Sequence, residues 1–83
     1  MTVFVDNARH KVGRLVLSHM MADTTAELLA MVDAIGVARR HIQSAGTPNE
    51  HFDICQSKRA LAISLGARVV TPRDLVLLRQ SRR

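Results

Sequence analysis

The sequence predicts a small single-domain α/β sandwich, with a short, partly parallel sheet and about three helices. The 83 residues, 47% of them hydrophobic and with no long polar tract, describe one domain over residues 1–83 around a single core. Short β-branched runs alternate with segments of helical period. Two segments also carry the chemistry of helix starts: Thr24 with Glu27, and Thr71-Pro72-Arg73-Asp74.

Val3-Phe4-Val5 ends at Asp6-Asn7 and reads as a strand entering a turn. Leu15-Val16-Leu17, after Gly13, reads as a second strand able to pair with the first. Residues 7–14, with Arg9, His10, Lys11 and Arg14, look too polar and basic for a tight hairpin. They read as an exposed loop, solvated rather than a ligand flap. The first helix is placed at residues 25–35, because Leu28, Met31, Val32 and Ile35 share one face and Gly36 supplies a left-handed stop. Residues 37–43 read as a weak strand interrupted by Arg39, Arg40 and His41, and Ser44-Ala45-Gly46-Thr47-Pro48-Asn49 as a loop.

A second helix is expected to start after Asp53, with Gln56 at capping-box distance, and to end at Gly66. Ala60, Leu61, Ala62, Ile63 and Leu65 make its second half apolar almost all round, which predicts a buried helix. Arg68-Val69-Val70-Thr71 reads as a short strand. The last helix has Thr71 as N-cap, Pro72 in its first turn and Leu75 and Leu78 on its inner face. Residues 79–83 read as a frayed tail.

The core has no Trp or Tyr and only Phe4 and Phe52, so its packing is expected to be aliphatic. A chain this short buries only about 60–65% of its unfolded surface, which favours a homo-oligomer. Cys55 is the only cysteine. A disulfide framework is thereby excluded, a reducing cytoplasm fits, and Cys55 reads as a small core residue rather than a nucleophile. The N-terminal segment resembles neither a signal peptide nor a membrane span, so no membrane partner is expected. The net charge is +5, and arginine supplies all but Lys11 and Lys58 of the 12 basic residues. That balance suits a phosphate-bearing small molecule or a nucleic acid, although the scattered arginines serve solubility equally well.

The candidate site residues are a spaced histidine and aspartate set. Asp6 stands at a strand end, where ligands gather in α/β folds and where an Asx turn also favours Asp. His19 and Asp23 close the second extended segment, and Asp23 also suits the start of the first helix. His51 and Asp53 flank Phe52 and share one side of an extended segment, with Asp53 doubling as the expected N-cap. His51 has no such local explanation. Lys58 and Arg59 lie in the first turns of the second helix, where backbone donors favour an anion and solvation is the ordinary alternative.

Three functions fit these residues. The first is a small basic module binding a nucleotide, a signalling nucleotide or nucleic acid through His51, Lys58, Arg59, His19 and Asp6. The second is a divalent-metal-dependent phosphodiesterase or nuclease, with His19, Asp23, His51 and Asp53 as metal ligands and His19, His51 and Asp53 as catalytic candidates. The third is a protein-interaction adaptor without a small ligand. Separation of His19 and His51 by more than about 8 Å would exclude a shared metal.

Val3-Phe4-Val5-Asp6, Gly13-Arg14, Ser18-His19-Met20 with Asp23, Glu27-Leu28, His51-Phe52-Asp53, Arg59, and Gly66-Ala67 with Val70 resemble a small bacterial and phage family. That family carries only the label domain of unknown function 4031. The resemblance spans nearly the whole chain and implies no activity. The chain departs from it at His10, where tryptophan is usual, and at Phe52, where tyrosine is usual. The Val3 to Asp6 strand and the segment Leu65-Gly66-Ala67-Arg68-Val69-Val70-Thr71 are also similar to PIN-like metal-dependent nucleases, but Arg73 stands about where those enzymes place another acid.

Overall fold

Strand β1 (Val3–Asp6) and strand β3 (Leu15–Ala22) frame the part of the chain where expectation and structure differ most. The structure, a computed structural model, describes residues 2–82. Between those strands lies β2 (His10–Val12), not an open loop; it turns through Gly13 and Arg14 on to β3 with Val12 opposite Leu15. Gly13 takes φ 59°, the glycine-first geometry that matches the twist of a tight hairpin. All of β2 is exposed, so its polar and basic side chains lose no water on pairing.

β3 is longer than the expected Leu15-Val16-Leu17, continuing to Ala22, and forms the centre of a mixed five-stranded sheet. One side of β3 pairs with β2 and then β1, the latter antiparallel with Val5 opposite Met20. Its other side pairs with β4 (Phe52–Cys55), antiparallel, with His19 opposite Asp53. β5 (Arg68–Val70) lies parallel to β1 with Val69 opposite Val5.

Helix α1 (Thr25–Ile35) forms at its expected residues. The Thr24 side chain accepts the Glu27 N–H at 3.2 Å, and Gly36 closes the helix at φ 79°. Residues 37–43 are not a strand. Arg39–His41 form a 3₁₀ turn, and only Gln43 bridges to another strand segment, at His51. Arg39 explains the turn: it grips Asp33 of α1 through two bonds of 3.0 and 2.6 Å, folding the chain back against the helix.

Helix α2 (Gln56–Ser64) starts later than expected, because Asp53 remains in β4 and Cys55 takes the N-cap position without a side-chain bond. Nor is α2 a buried helix. Ala62 is its buried residue, while Leu61 and Leu65 are 46% and 55% exposed. An apolar run around a helix does not say which side meets the sheet, and here one side faces water.

Helix α3 (Pro72–Ser81) carries a complete capping box, with Thr71 and Asp74 each accepting the other's backbone N–H. The expected frayed tail is helical through Ser81. Arg79 donates to Asn49 Oδ1 at 2.7 Å, and Arg82 bonds the Ala22 carbonyl. Arg83 lies outside the described residues.

Strand alternation divides the sheet's side chains. Val5, Met20, Ala22, Phe52 and Ile54 form one core with Leu28, Val32 and Ile35 of α1 and Ala62 of α2. Phe52 is that core's aromatic member, the rest being aliphatic as expected. Phe4, Asp6, His19 and Met21 occupy the alternate positions and face α3, whose Leu75 is buried against that side, and Asp53 stands opposite His19. Among the described residues no helix is long and apolar enough to cross a membrane.

Candidate metal centre

Register brings the site together. Residues directly opposite in an antiparallel pair share a face, so the His19–Asp53 pairing of β3 and β4 sets these side chains side by side. His51 precedes Asp53 by one strand period and joins them. The ring centroids of His19 and His51 are 5.6 Å apart, inside the separation that a shared metal requires.

Each imidazole is anchored through Nδ1. His19 Nδ1 lies 2.7 Å from Oδ2 of Asp6, a fully buried carboxylate. His51 Nδ1 lies 2.6 Å from the backbone carbonyl of Asn49. Carbonyls and carboxylates only accept, so both Nδ1 atoms donate, and in neutral rings each Nε2 presents a lone pair. Both Nε2 atoms lie near one oxygen. Asp53 Oδ1 lies 3.6 Å from His19 Nε2 and 3.6 Å from His51 Nε2, too far for a hydrogen bond to either. Oδ1 is buried and has no hydrogen-bond partner, while Oδ2 is held by Gln43 Nε2 at 2.7 Å.

Three electron-rich atoms thus converge with nothing to bind them together. Their ligand atoms lie within 4.8 Å of one another. With two sides of 3.6 Å, such a triangle has a point no more than about 2.4 Å from all three corners, a few tenths beyond the roughly 2.0–2.2 Å of zinc bonds to nitrogen and oxygen. The charge agrees. Among the described residues no lysine or arginine lies within 4.0 Å of the Asp6 or Asp53 carboxylate, so these donors form a set able to hold a divalent cation. Two histidines and one carboxylate, with a second carboxylate behind a histidine, suit zinc, manganese or ferrous iron better than magnesium or calcium.

Asp6 serves two roles. Its Oδ1 accepts the Ala8 N–H at 3.3 Å, the Asx turn foreseen from Asp6-Asn7, and also the His19 N–H at 2.9 Å. Asp6 ends β1 beside the end of β5, so the site sits at the carboxyl ends of the parallel pair. His10, on β2, sets its ring edge-on to His19 with centroids 4.7 Å apart.

The remaining candidates stand apart from the triad. Asp23 Oδ2 accepts the Thr2 N–H at 2.9 Å. Arg59 Nε donates to the Asp6 carbonyl at 2.9 Å, tying α2 to β1. Lys58 sets its ammonium beside Gly36, where a cation complements the C-terminal end of α1. Neither Lys58 nor Arg59 lines the cleft that His19 and His51 border. Cys55 is half-buried beside Ser57; the Ser57 hydroxyl, then the Lys58 backbone, hold its thiol below the ordinary range.

Residues 3–82 match the model of a family described as protein of unknown function (DUF4031). The chain belongs to that family. No curated protein and no solved structure gives a significant match. Within this DUF4031 chain the residues missed by sequence reasoning are Gln43, Asn49 and Arg79. Gln43 reaches Asp53 through a single bridge pairing that no local pattern encodes. Arg79 did carry a signal, since Pro72, Leu75, Val76 and Arg79 repeat at helical spacing and line the same cleft.

Proposed function

We propose that this protein is a divalent-metal-dependent phosphodiesterase in which His19, His51 and Asp53 hold one ion. The observation that carries the proposal is Asp53 Oδ1, buried, without a partner, and 3.6 Å from each of two oriented imidazole nitrogens. Three protein ligands leave coordination positions for water and substrate, the arrangement of catalytic rather than structural sites. Such an ion lowers the pKa of bound water to about 7 and offsets charge on a phosphoryl oxygen. Asp6 would orient His19 and Asn49 would orient His51, as outer-shell acceptors do at histidine-bound metals. The net charge of +5 supports an anionic substrate. A pure phosphate-binding module built on Lys58 and Arg59 has less support, because neither side chain lines the cleft.

The test is metal-dependent cleavage of bis(p-nitrophenyl) phosphate. Activity that appears on adding zinc or manganese, disappears with chelator and is lost in a folded Asp53→Asn protein supports the proposal. Absence of metal uptake by the native protein, measured by calorimetry and elemental analysis, refutes it.

A further inference from the structure

We infer that Arg79 is the anion-holding residue of this site, and that the substrate is a phosphate ester with an apolar body. The inference rests on the metal reading and adds to it a second contact and a substrate class. A cleft of about 220 Å³ opens beside the triad, with His19 and His51 in its lining. Asp6, His19 and His51 line one part, α3 supplies Pro72, Leu75, Val76 and Arg79, and Met21 completes the apolar wall. Arg79 is the cleft's cationic side chain. Since the cleft otherwise presents one carboxylate, two imidazoles, the Asn49 amide and apolar groups, an arginine there needs a purpose.

Asn49 provides its geometry. The Asn49 backbone carbonyl takes the His51 Nδ1–H at 2.6 Å, and its side-chain carbonyl takes Arg79 Nη1 at 2.7 Å. One residue therefore holds both a metal ligand and the guanidinium. A single bond at Nη1 leaves the other guanidinium N–H groups without partners among the described residues, available for a fork on an oxyanion. A phosphate lying between the ion and Arg79 would be bound from two sides, while Met21, Leu75 and Val76 receive the ester's apolar group. The volume limits the occupant to a small ester or to one end of a longer chain.

The experiment uses cobalt(II) as the ion and its visible spectrum as the readout, with inorganic phosphate and phenyl phosphate as probes. Expected results are that both anions perturb the cobalt spectrum and that phenyl phosphate binds more tightly. Arg79→Gln should weaken both anions by about 10–100-fold, as expected for loss of a charged hydrogen-bonding partner, while leaving cobalt affinity unchanged. If Arg79→Gln does not fold, Arg79→Lys is measured in its place, with weaker binding expected from loss of the fork. Unchanged phosphate affinity in a cobalt-loaded Arg79 variant overturns the assignment while the metal reading stands. Equal affinity for the two anions overturns the apolar body. Failure of the native protein to take up cobalt overturns the metal reading and this inference together.

Discussion

Replacing Asp53 by asparagine is expected to stabilise the metal-free protein and abolish its response to metal. Without an ion, Asp53 Oδ1 is a buried acceptor facing two Nε2 lone pairs at 3.6 Å. Asparagine keeps an oxygen for Gln43 Nε2 and turns an amide N–H₂ toward the imidazoles, supplying the donor that the site lacks. An unsatisfied buried group costs about 1–3 kcal/mol, and the lower end applies here because the side chain as a whole is 30% exposed. A gain of about 1 kcal/mol raises the melting temperature of a domain this size by roughly 4–8 °C. With metal the order reverses. Free ion at about 100 times Kd stabilises the native protein by about 2.7 kcal/mol, and the variant has lost a ligand. Scanning calorimetry of both proteins, in chelator and in zinc, reads the crossing directly. A lower melting temperature for Asp53→Asn in chelator would show that Oδ1 is already held, by an imidazolium in place of a metal. Equal zinc stabilisation of the two proteins would remove Asp53 from the ligand set.

Asp6→Asn turns an amide toward His19 Nδ1 and favours the tautomer with its proton on Nε2, so cobalt affinity should fall by about 10–100-fold; unchanged affinity would mean that Asp6 does not orient the ligand. The Thr71 backbone N–H and hydroxyl hold the Asp74 carboxyl below its ordinary 3.8, so its stabilising contribution is full above that value and disappears as pH falls through the lower folded value. Asp74→Asn should therefore melt below the parent near neutral pH, with the gap closing under acid; a gap constant with pH would exclude the charged cap. Gly36→Ala places a non-glycine residue at φ 79°, with its Cβ 3.2 Å from Lys58 Nζ. Since the lysine end can move, the backbone dominates and the cost should be about 1–2 kcal/mol by chemical denaturation, a neutral result arguing against the left-handed cap.

Elements whose instructions are local were legible in the sequence. Thr24, Glu27 and Gly36 bound α1 through bonds to their own neighbours, and Thr71 and Asp74 start α3 in the same way. The mixed sheet with three helices followed from the order of such segments. Elements set by partners were not. β2 exists because β3 offers it an edge, and Arg39–His41 turn because Asp33 grips Arg39. Asp53 shows why this matters for the site. Read as a helix cap it had a sufficient local explanation, yet pairing with β3 keeps it in a strand and leaves Oδ1 unbound. His19 and His51 were legible as site residues for the opposite reason, since no local role accounted for them. Arg79 shares a helical face with Pro72, Leu75 and Val76, but its contact with Asn49 crosses 30 positions and no local pattern announces it.

The parallel pairing of β1 with β5 joins the first strand of the chain to the last, with Val5 opposite Val69. Contacts so distant in sequence form slowly, because the entropy of closing the loop is lost before the pairing repays it. Asp6, at the end of β1 and opposite Val70, therefore reaches its final neighbour only when the two ends of the fold meet.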